Sequence, residues 1–158
     1  MDNVEIERKF LIKNMPELTG LKCRVIKQGY LNTSPTVRVR QDNDEYYLTY
    51  KSKSTNNISR QEYNLPLDAE AFEHLIAKCD GNIISKKRYE LSVGKSSKGN
   101  ELTAEIDVFD EPFAPLCIAE VEFESEEEAE AFVTPDWMGE DVSDKREYYN
   151  SDMAKRKF

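Results

Sequence analysis

Charged residues recur two positions apart along this chain. Glu5 and Glu7 lead into Lys9, and Arg38 stands with Arg40, Lys86 with Arg88, Glu105 with Asp107, and Glu120 with Glu122. Thr49 precedes Lys51, and Arg60 precedes Glu62, at the same spacing. In a strand, residues two apart share a face, and like charges on one face repel unless a group of opposite sign lies between them. Arg and Lys side chains converging from several strands suit a chain of phosphate groups, Arg through planar bidentate contacts and Lys as a point charge. Carboxylates converging from others suit a hard cation such as Mg²⁺ or Mn²⁺. A metal beside a phosphate chain is the arrangement of phosphoryl transfer, and it can activate water without a histidine.

The elements that must position these residues are mostly strands. Apolar and charged residues alternate over Val4–Phe10, Thr36–Arg40, Tyr46–Lys51, Arg60–Leu65, Ser85–Val93, Leu102–Phe109 and Ile118–Phe123. Polar residues from Ser54 to Ser59 predict one hairpin connection, and Gly94 to Asn100 predict another. Arg8 interrupts the apolar set of the first strand. A helix is expected over about Asp68 to Cys79, with Phe72, Leu75, Ile76 and Cys79 on one face and Gly81 past its end. A second begins at Ser125, with Glu128 completing a capping box and Ala129, Phe132 and Val133 as its apolar residues. A short turn is expected over Pro16–Thr19 and a helical tail from Ser151. The acidic run Glu124–Glu130 reads as a solvated helix face. Any single strand is also consistent with a sheet that buries one face and wets the other. Many antiparallel strands with few helices favour a sheet that closes or nearly closes.

Composition narrows the function classes. The chain has 158 residues, 39% apolar and 34% charged, with net charge −9. That length suits one domain, residues 1–158, with a core that needs no disulfide. The acidic balance disfavours nucleic acid and anionic lipid as partners. No apolar run reaches membrane-spanning length, and the acidic Met1–Glu5 start is unlike a signal peptide, so a cytoplasmic location is expected. Cys23, Cys79 and Cys117 have no metal or redox spacing and are expected to be passive packing thiols. The single histidine, His74, cannot support a His-based metal site or a Ser-His-Asp triad. Trp137 is expected as a packed loop anchor. The glycines fit no phosphate-loop pattern, so phosphate contacts must come from side chains on strands.

These segments resemble, in order, the motifs of the CYTH superfamily, the triphosphate tunnel metalloenzymes. Glu5-Ile6-Glu7-Arg8-Lys9 has its Glu-x-Glu-x-Lys form. Gln28-Gly29-Tyr30-Leu31, Val37–Arg40, Leu48–Lys51, Arg60–Tyr63, Lys86–Tyr89, Glu105–Phe109 and Glu120–Phe123 follow, and Asp144-Lys145-Arg146 with Asn150 resembles the C-terminal segment. Asn64 stands where many members carry an acid, and Glu147 where a Tyr is more usual.

The resemblance implies an α+β, mainly β architecture: an eight-stranded closed antiparallel barrel forming a tunnel, with a few flanking helices. It implies that Lys9, Arg38, Arg40, Lys51, Arg60, Lys86 and Arg88 bind a small-molecule triphosphate. It implies that Glu5, Glu7, Asp107, Glu120 and Glu122 hold Mg²⁺ or Mn²⁺, with Glu62 and Glu105 as further contributors. The expected reaction is hydrolysis of a terminal phosphate, most of all of inorganic triphosphate. Lys9 and Arg40 are the expected catalytic cations. Lys51 could act as general base if basic neighbours lowered its pKa. Thiamine triphosphate hydrolysis, cyclisation of ATP and non-catalytic binding of polyphosphate or nucleotide are the alternatives, and a monomer and a homodimer are both open.

Overall fold

The computed structural model describes residues 4–53, 56 and 58–158. Parts of the hairpin expected at Ser54–Ser59 and of the acidic N-terminal start lie outside these. In chain order the elements are β1 (Val4–Ile12), β2 (Lys22–Thr33), β3 (Thr36–Asp42), β4 (Glu45–Lys51), β5 (Ser59–Leu67), α1 (Ala69–Ile76), β6 (Asp80–Lys95), β7 (Glu101–Phe109), β8 (Cys117–Glu122), α2 (Glu126–Ala131), β9 (Met138–Asp141), a 3-10 turn (Arg146–Tyr148) and α3 (Asn150–Met153).

Every strand pairing is antiparallel, and the strand order is β5-β4-β3-β2-β6-β7-β8-β1-β9. A further pairing of Val4, Glu5 and Ile6 with Gln61, Arg60 and Ser59 joins β1 to β5 and closes eight strands into a barrel. Beyond that seam, β9 takes over the same edge of β1, with Phe10 opposite Asp141 and Ile12 opposite Met138. β9 was not expected, because four residues are too few to show alternation. β2 was legible only through its Gln-Gly-Tyr-Leu motif, since Lys22–Thr33 does not alternate cleanly. Gly29 in that strand is required by a close approach: a Cβ there would lie 2.8 Å from Cys79 Sγ.

The apolar core lies largely outside the barrel, between its wall and the covering segments. Leu102, Ala104 and Ile106 of β7, Ala119 and Val121 of β8, and Phe10 of β1 pack with Ala129, Phe123 and Met138, and Trp137 closes over them as expected. Val39 of β3 packs under Phe72 and Ile76 of α1, with Leu75 and Cys79 partly buried beside them. Tyr30, Ile84, Phe109, Phe113 and Ile118 pack against Met153 and Ala154 at one barrel end. Because strand side chains alternate, an outward apolar face turns the charged positions inward. Arg8 breaks the outer apolar set for a local reason: its guanidinium binds Asp141 at 2.7 and 3.0 Å and donates to the carbonyl of Ala129 at 2.8 Å.

Several local expectations change. The Asp68 side chain caps α1 by accepting from Ala71 N at 2.7 Å, but the helix ends at Ile76, short of Cys79, and Gly81 lies in β6 with φ of 73°. Ser125 caps α2 through Glu128 N. The helix then stops at Ala131, so Val133 is solvent-exposed and not an apolar helix contact. Glu128 is buried, not solvated, because its carboxylate accepts from Ser96, Asn100 and Ser125 and so ties α2 to the β6–β7 loop. The short turn expected over Pro16–Thr19 lies at Thr19–Gly20, closed by the bond from Leu21 N to Leu18 O at 3.2 Å. Cys23 is exposed and does not serve as a packing residue.

Candidate functional site

The barrel register sets the inward residues beside one another. Lys9 lies opposite Glu120, Glu7 opposite Glu122, Glu5 opposite Arg60, Lys51 opposite Glu62, Arg88 opposite Asp107, and Glu105 opposite Glu120. The cavity these strands enclose is lined by every expected site residue except Asp107. It is lined also by Tyr30, Thr36, Tyr149, Asn150 and Ser151.

Strand direction gives the cavity two unlike ends. At the end where β1 begins and β8 finishes, the lining is acidic, with Glu5, Glu62 and Glu122 on the adjoining cavity as well. Arg38, Arg40, Lys86 and Arg88 occupy the middle, and Lys9 and Arg60 lie towards the end where β3 and β5 begin.

The central cations are crowded and under-neutralised. Among the described residues, Arg38 donates to Thr49 Oγ1 alone, at 3.2 Å, and its Nε is buried without a hydrogen-bond partner. Arg40 donates from Nε to Gln28 Oε1 at 2.8 Å. Among the described residues, neither Arg38 nor Arg40 has a carboxylate at ion-pair distance. Burial, then Arg38 and Arg88, pulls the Arg40 pKa down to about 9. Burial likewise brings Lys86 to about 7, with Arg88 and Arg40 adding to the push against the pull of Asp107. A buried cation without a counter-ion is costly, so this cluster is built to receive an anion.

Asp107, expected as a metal ligand, lies among cations. It is wholly buried, accepts from Arg88 Nε and Nη2 at 2.7 and 2.9 Å, and pairs with Lys86 at 2.7 Å. Both oxygens are engaged, so it anchors two cations from beneath them. Burial opposes its ionisation, but Arg88 and Lys86 more than offset this and hold its pKa low.

Lys51 departs from expectation too. Its Nζ lies 2.8 Å from Glu5 and 3.4 Å from Glu62. Burial disfavours its ammonium, but Glu5 and Glu7 outweigh that and raise its pKa, so its neighbours are acids and not the bases that would free it to accept a proton.

The glutamates divide by environment. Burial would raise Glu5 and Glu120, yet Lys51 lowers the first, and Lys9, Arg88 and Lys86 lower the second further. Glu7 is pushed well up by burial and by the charges of Glu120 and Glu5. Glu122 is pushed up to about 7 by burial, then by Glu5, Glu62 and Glu105. Among the described residues, no three such groups are already gathered around one point. The donor set nonetheless fits a hard cation: all ligands are oxygen, and a divalent ion among Glu5, Glu7, Glu120 and Glu122 would relieve the repulsion recorded in the raised carboxyls.

The residue that sequence reasoning missed is Tyr149. Its ring lies 4.7 Å from Lys9 Nζ and 5.0 Å from the Arg60 guanidinium carbon, and its hydroxyl donates to the Ser143 carbonyl. Asn150, flagged only through a motif, accepts from Lys86 Nζ at 2.9 Å and from Gln28 at 3.1 Å. No strand alternation marks this segment, so only the Asp-Lys-Arg motif pointed to it. Asn64 donates to Glu62 and accepts from Thr49 at 2.6 Å, so it supports the wall in place of a second acid.

A closed antiparallel barrel with a charged interior, cationic in its middle and acidic at one end, defines the class: a β-barrel protein whose cavity is lined by converging cations and carboxylates. The CYTH domain profile matches residues 3–156, and the chain belongs to that family. It is 41% identical over 154 residues to the inorganic triphosphatase of Nitrosomonas europaea, covering 95% of this chain and 96% of the relative. It is 35% identical over 157 residues to the inorganic triphosphatase of Acetivibrio thermocellus, covering 98% and 95%. The crystal structure of the inorganic triphosphatase NE1496 superposes with a TM-score of 0.68 at 38% identity, covering 97% of this chain and 95% of that one. A putative adenylyl cyclase from Hippeastrum shares the fold alone, with TM-score 0.52 and 13% identity. Among the described residues no helix is long and apolar enough to cross a membrane.

Proposed function

We propose that this protein is a divalent-metal-dependent inorganic triphosphatase that cleaves the terminal phosphoanhydride bond of triphosphate. The observation that carries this reading is the group of Arg38, Arg40, Lys86 and Arg88, of which all but Arg40 are buried, which outnumbers the carboxylates paired with it and is faced by glutamates in one closed cavity. The two relatives named inorganic triphosphatase, matched over nearly the whole chain, support it.

Arg38 and Arg40 bind the phosphate chain with donors already desolvated and fixed on β3, so little reorganisation opposes the charge that develops in the transition state. Lys86, already paired with Asp107 at 2.7 Å, gains a second counter-charge when the chain enters, which favours its ammonium form. Asp107 holds Lys86 and Arg88 in place from behind. Lys9, between Glu120 at 3.5 Å and the Tyr149 ring, meets both the anion and the acidic cluster. Glu5, Glu7, Glu120 and Glu122 would hold a divalent cation, Mg²⁺ or Mn²⁺, and Lys51 keeps Glu5 ionised for that purpose. When bound, such an ion acts as a Lewis acid on phosphoryl oxygens. Water adds to the terminal phosphorus, the bridging oxygen leaves with diphosphate, and the closed barrel limits competing solvent.

The test is phosphate release from inorganic triphosphate, ATP and thiamine triphosphate with Mg²⁺ or Mn²⁺ and with EDTA, beside the double variant Glu5→Ala, Glu7→Ala. Metal-dependent release, highest for inorganic triphosphate and lost in the variant, is expected. Absence of release from all three would overturn the reading.

A further inference from the structure

Gln28 stands on β2, the strand between β3 and β6, opposite Arg40 on one side and Ile84 on the other. It has no exposed surface and is not among the residues that line the cavity. A buried amide must have its polar atoms met, and here every partner belongs to the polar interior of the barrel. Oε1 accepts from Arg40 Nε at 2.8 Å. Nε2 donates to Asn150 Oδ1 and to the Tyr30 hydroxyl, both at 3.1 Å. Asn150 Oδ1 accepts in turn from Lys86 Nζ at 2.9 Å.

The polarity of this network is forced. A guanidinium and an ammonium only donate, so Oε1 must face Arg40 and Asn150 Oδ1 must face Lys86. Gln28 Nε2 is then the donor that joins the two halves. One amide thereby ties a cation of β3 to a cation of β6 by way of α3, and it does so without charge. The Nε bond is the sole hydrogen bond of Arg40 among the described residues, which leaves both Nη groups for the cavity that Arg40 lines. A carboxylate of the same length would hold the guanidinium more strongly. It would also cancel the positive charge that draws an anion in.

We propose that Gln28 is a positioning residue for triphosphate hydrolysis: a neutral acceptor that orients Arg40 and, through Asn150, Lys86, while leaving their charge for the phosphate chain. This rests on the reading of the cavity as the triphosphate site.

The test compares the wild type with Gln28→Glu, Gln28→Met and Gln41→Glu. Each is measured by thermal unfolding without ligand, by titration calorimetry with inorganic triphosphate in EDTA, and by kcat and KM with Mg²⁺. Gln28→Glu keeps the acceptor for Arg40 and adds a counter-charge. It should raise the melting temperature and weaken triphosphate binding about tenfold or more. Gln28→Met keeps the length and removes the hydrogen bonds, and should lower kcat/KM about tenfold or more. Gln41→Glu adds the same charge on β3 away from the cavity lining, and should stay within about twofold of the wild type. A role in folding alone predicts that stability and affinity fall together in Gln28→Glu. That result, or unchanged binding and kcat/KM in Gln28→Glu, would overturn the positioning role and leave the triphosphatase reading intact, even where Gln28→Met does not fold. A wild type that neither binds nor hydrolyses triphosphate would overturn both.

Discussion

Arg88 meets Asp107 through two hydrogen bonds of 2.7 and 2.9 Å, in a part of the wall where Asp107 has no exposed surface. Asp107→Asn leaves Lys86 buried without its anion and Arg88 with Glu105 alone, at 3.3 Å. Breaking such a pair costs about 3–5 kcal/mol. A large fall in melting temperature is expected without substrate, partly recovered when triphosphate supplies a new counter-charge. A variant of normal stability but weakened metal affinity would instead return Asp107 to the metal site.

Arg40 should show the opposite balance. It has no carboxylate partner among the described residues, and its pKa is drawn down to about 9 by burial, Arg38 and Arg88. Arg40→Gln is expected to leave the unliganded protein as stable or more so, and to lower kcat/KM for triphosphate about 10²–10³-fold. Thermal unfolding and steady-state kinetics on one preparation check both. A variant that loses stability in step with activity would contradict this role.

The metal-free protein should be most stable near pH 5. Glu7 and Glu122 have raised pKa values, Glu122 to about 7, so between the ordinary carboxyl value and pH 7 the folded state holds more protons than the unfolded one. Stability therefore falls as pH rises through that window. Glu5, Glu120 and Asp107 are lowered and lose their contribution only at more acid pH. Lys86, at about 7, acts in the opposite sense above neutrality and confines the fall to the acid side. Melting curves from pH 4.5 to 8 in EDTA should show this decline, and saturating Mg²⁺ or Mn²⁺ should reduce it. A flat profile in EDTA would count against the crowded glutamates.

Gly81 ties the C-terminal segment to the barrel. Its φ is 73°, and a Cβ there would lie 2.0 Å from the carbonyl oxygen of Ala154. Asn82 N donates to that same oxygen at 2.7 Å. Gly81→Ala should therefore loosen α3 and with it Asn150, which orients Lys86. The expected signs are a lower melting temperature and a raised KM for triphosphate, with the metal dependence unaltered.

Much of the site was legible because strand parity is strict. Once the outer apolar positions of β7 and β8 are recognised, Glu105, Asp107, Glu120 and Glu122 must turn inward. Parity does not report depth, however. Asp107 and Glu120 share a direction, yet one is covered by Lys86 and Arg88 and the other lines the cavity. Nor does it report neighbours across the barrel, which is why Lys51 read as a base among bases and proved to sit among acids. Tyr149 and β9 lie in segments too short or too irregular for periodicity, and their placement depends on contacts more than 100 residues away in sequence, such as Lys9 to Tyr148.

The seam between β1 and β5 has a consequence for how the molecule is made. β1 uses Val4–Ile6 on one edge to meet β5, and Glu7–Leu11 on the other to meet Ile118–Glu122. The strand nearest the start of the chain thus waits for one far along it before the ring can shut, and contacts of such long sequence separation slow folding. The cationic positions of β3 and β6 precede β8 in the chain, so their enclosure depends on the last strand to join the ring.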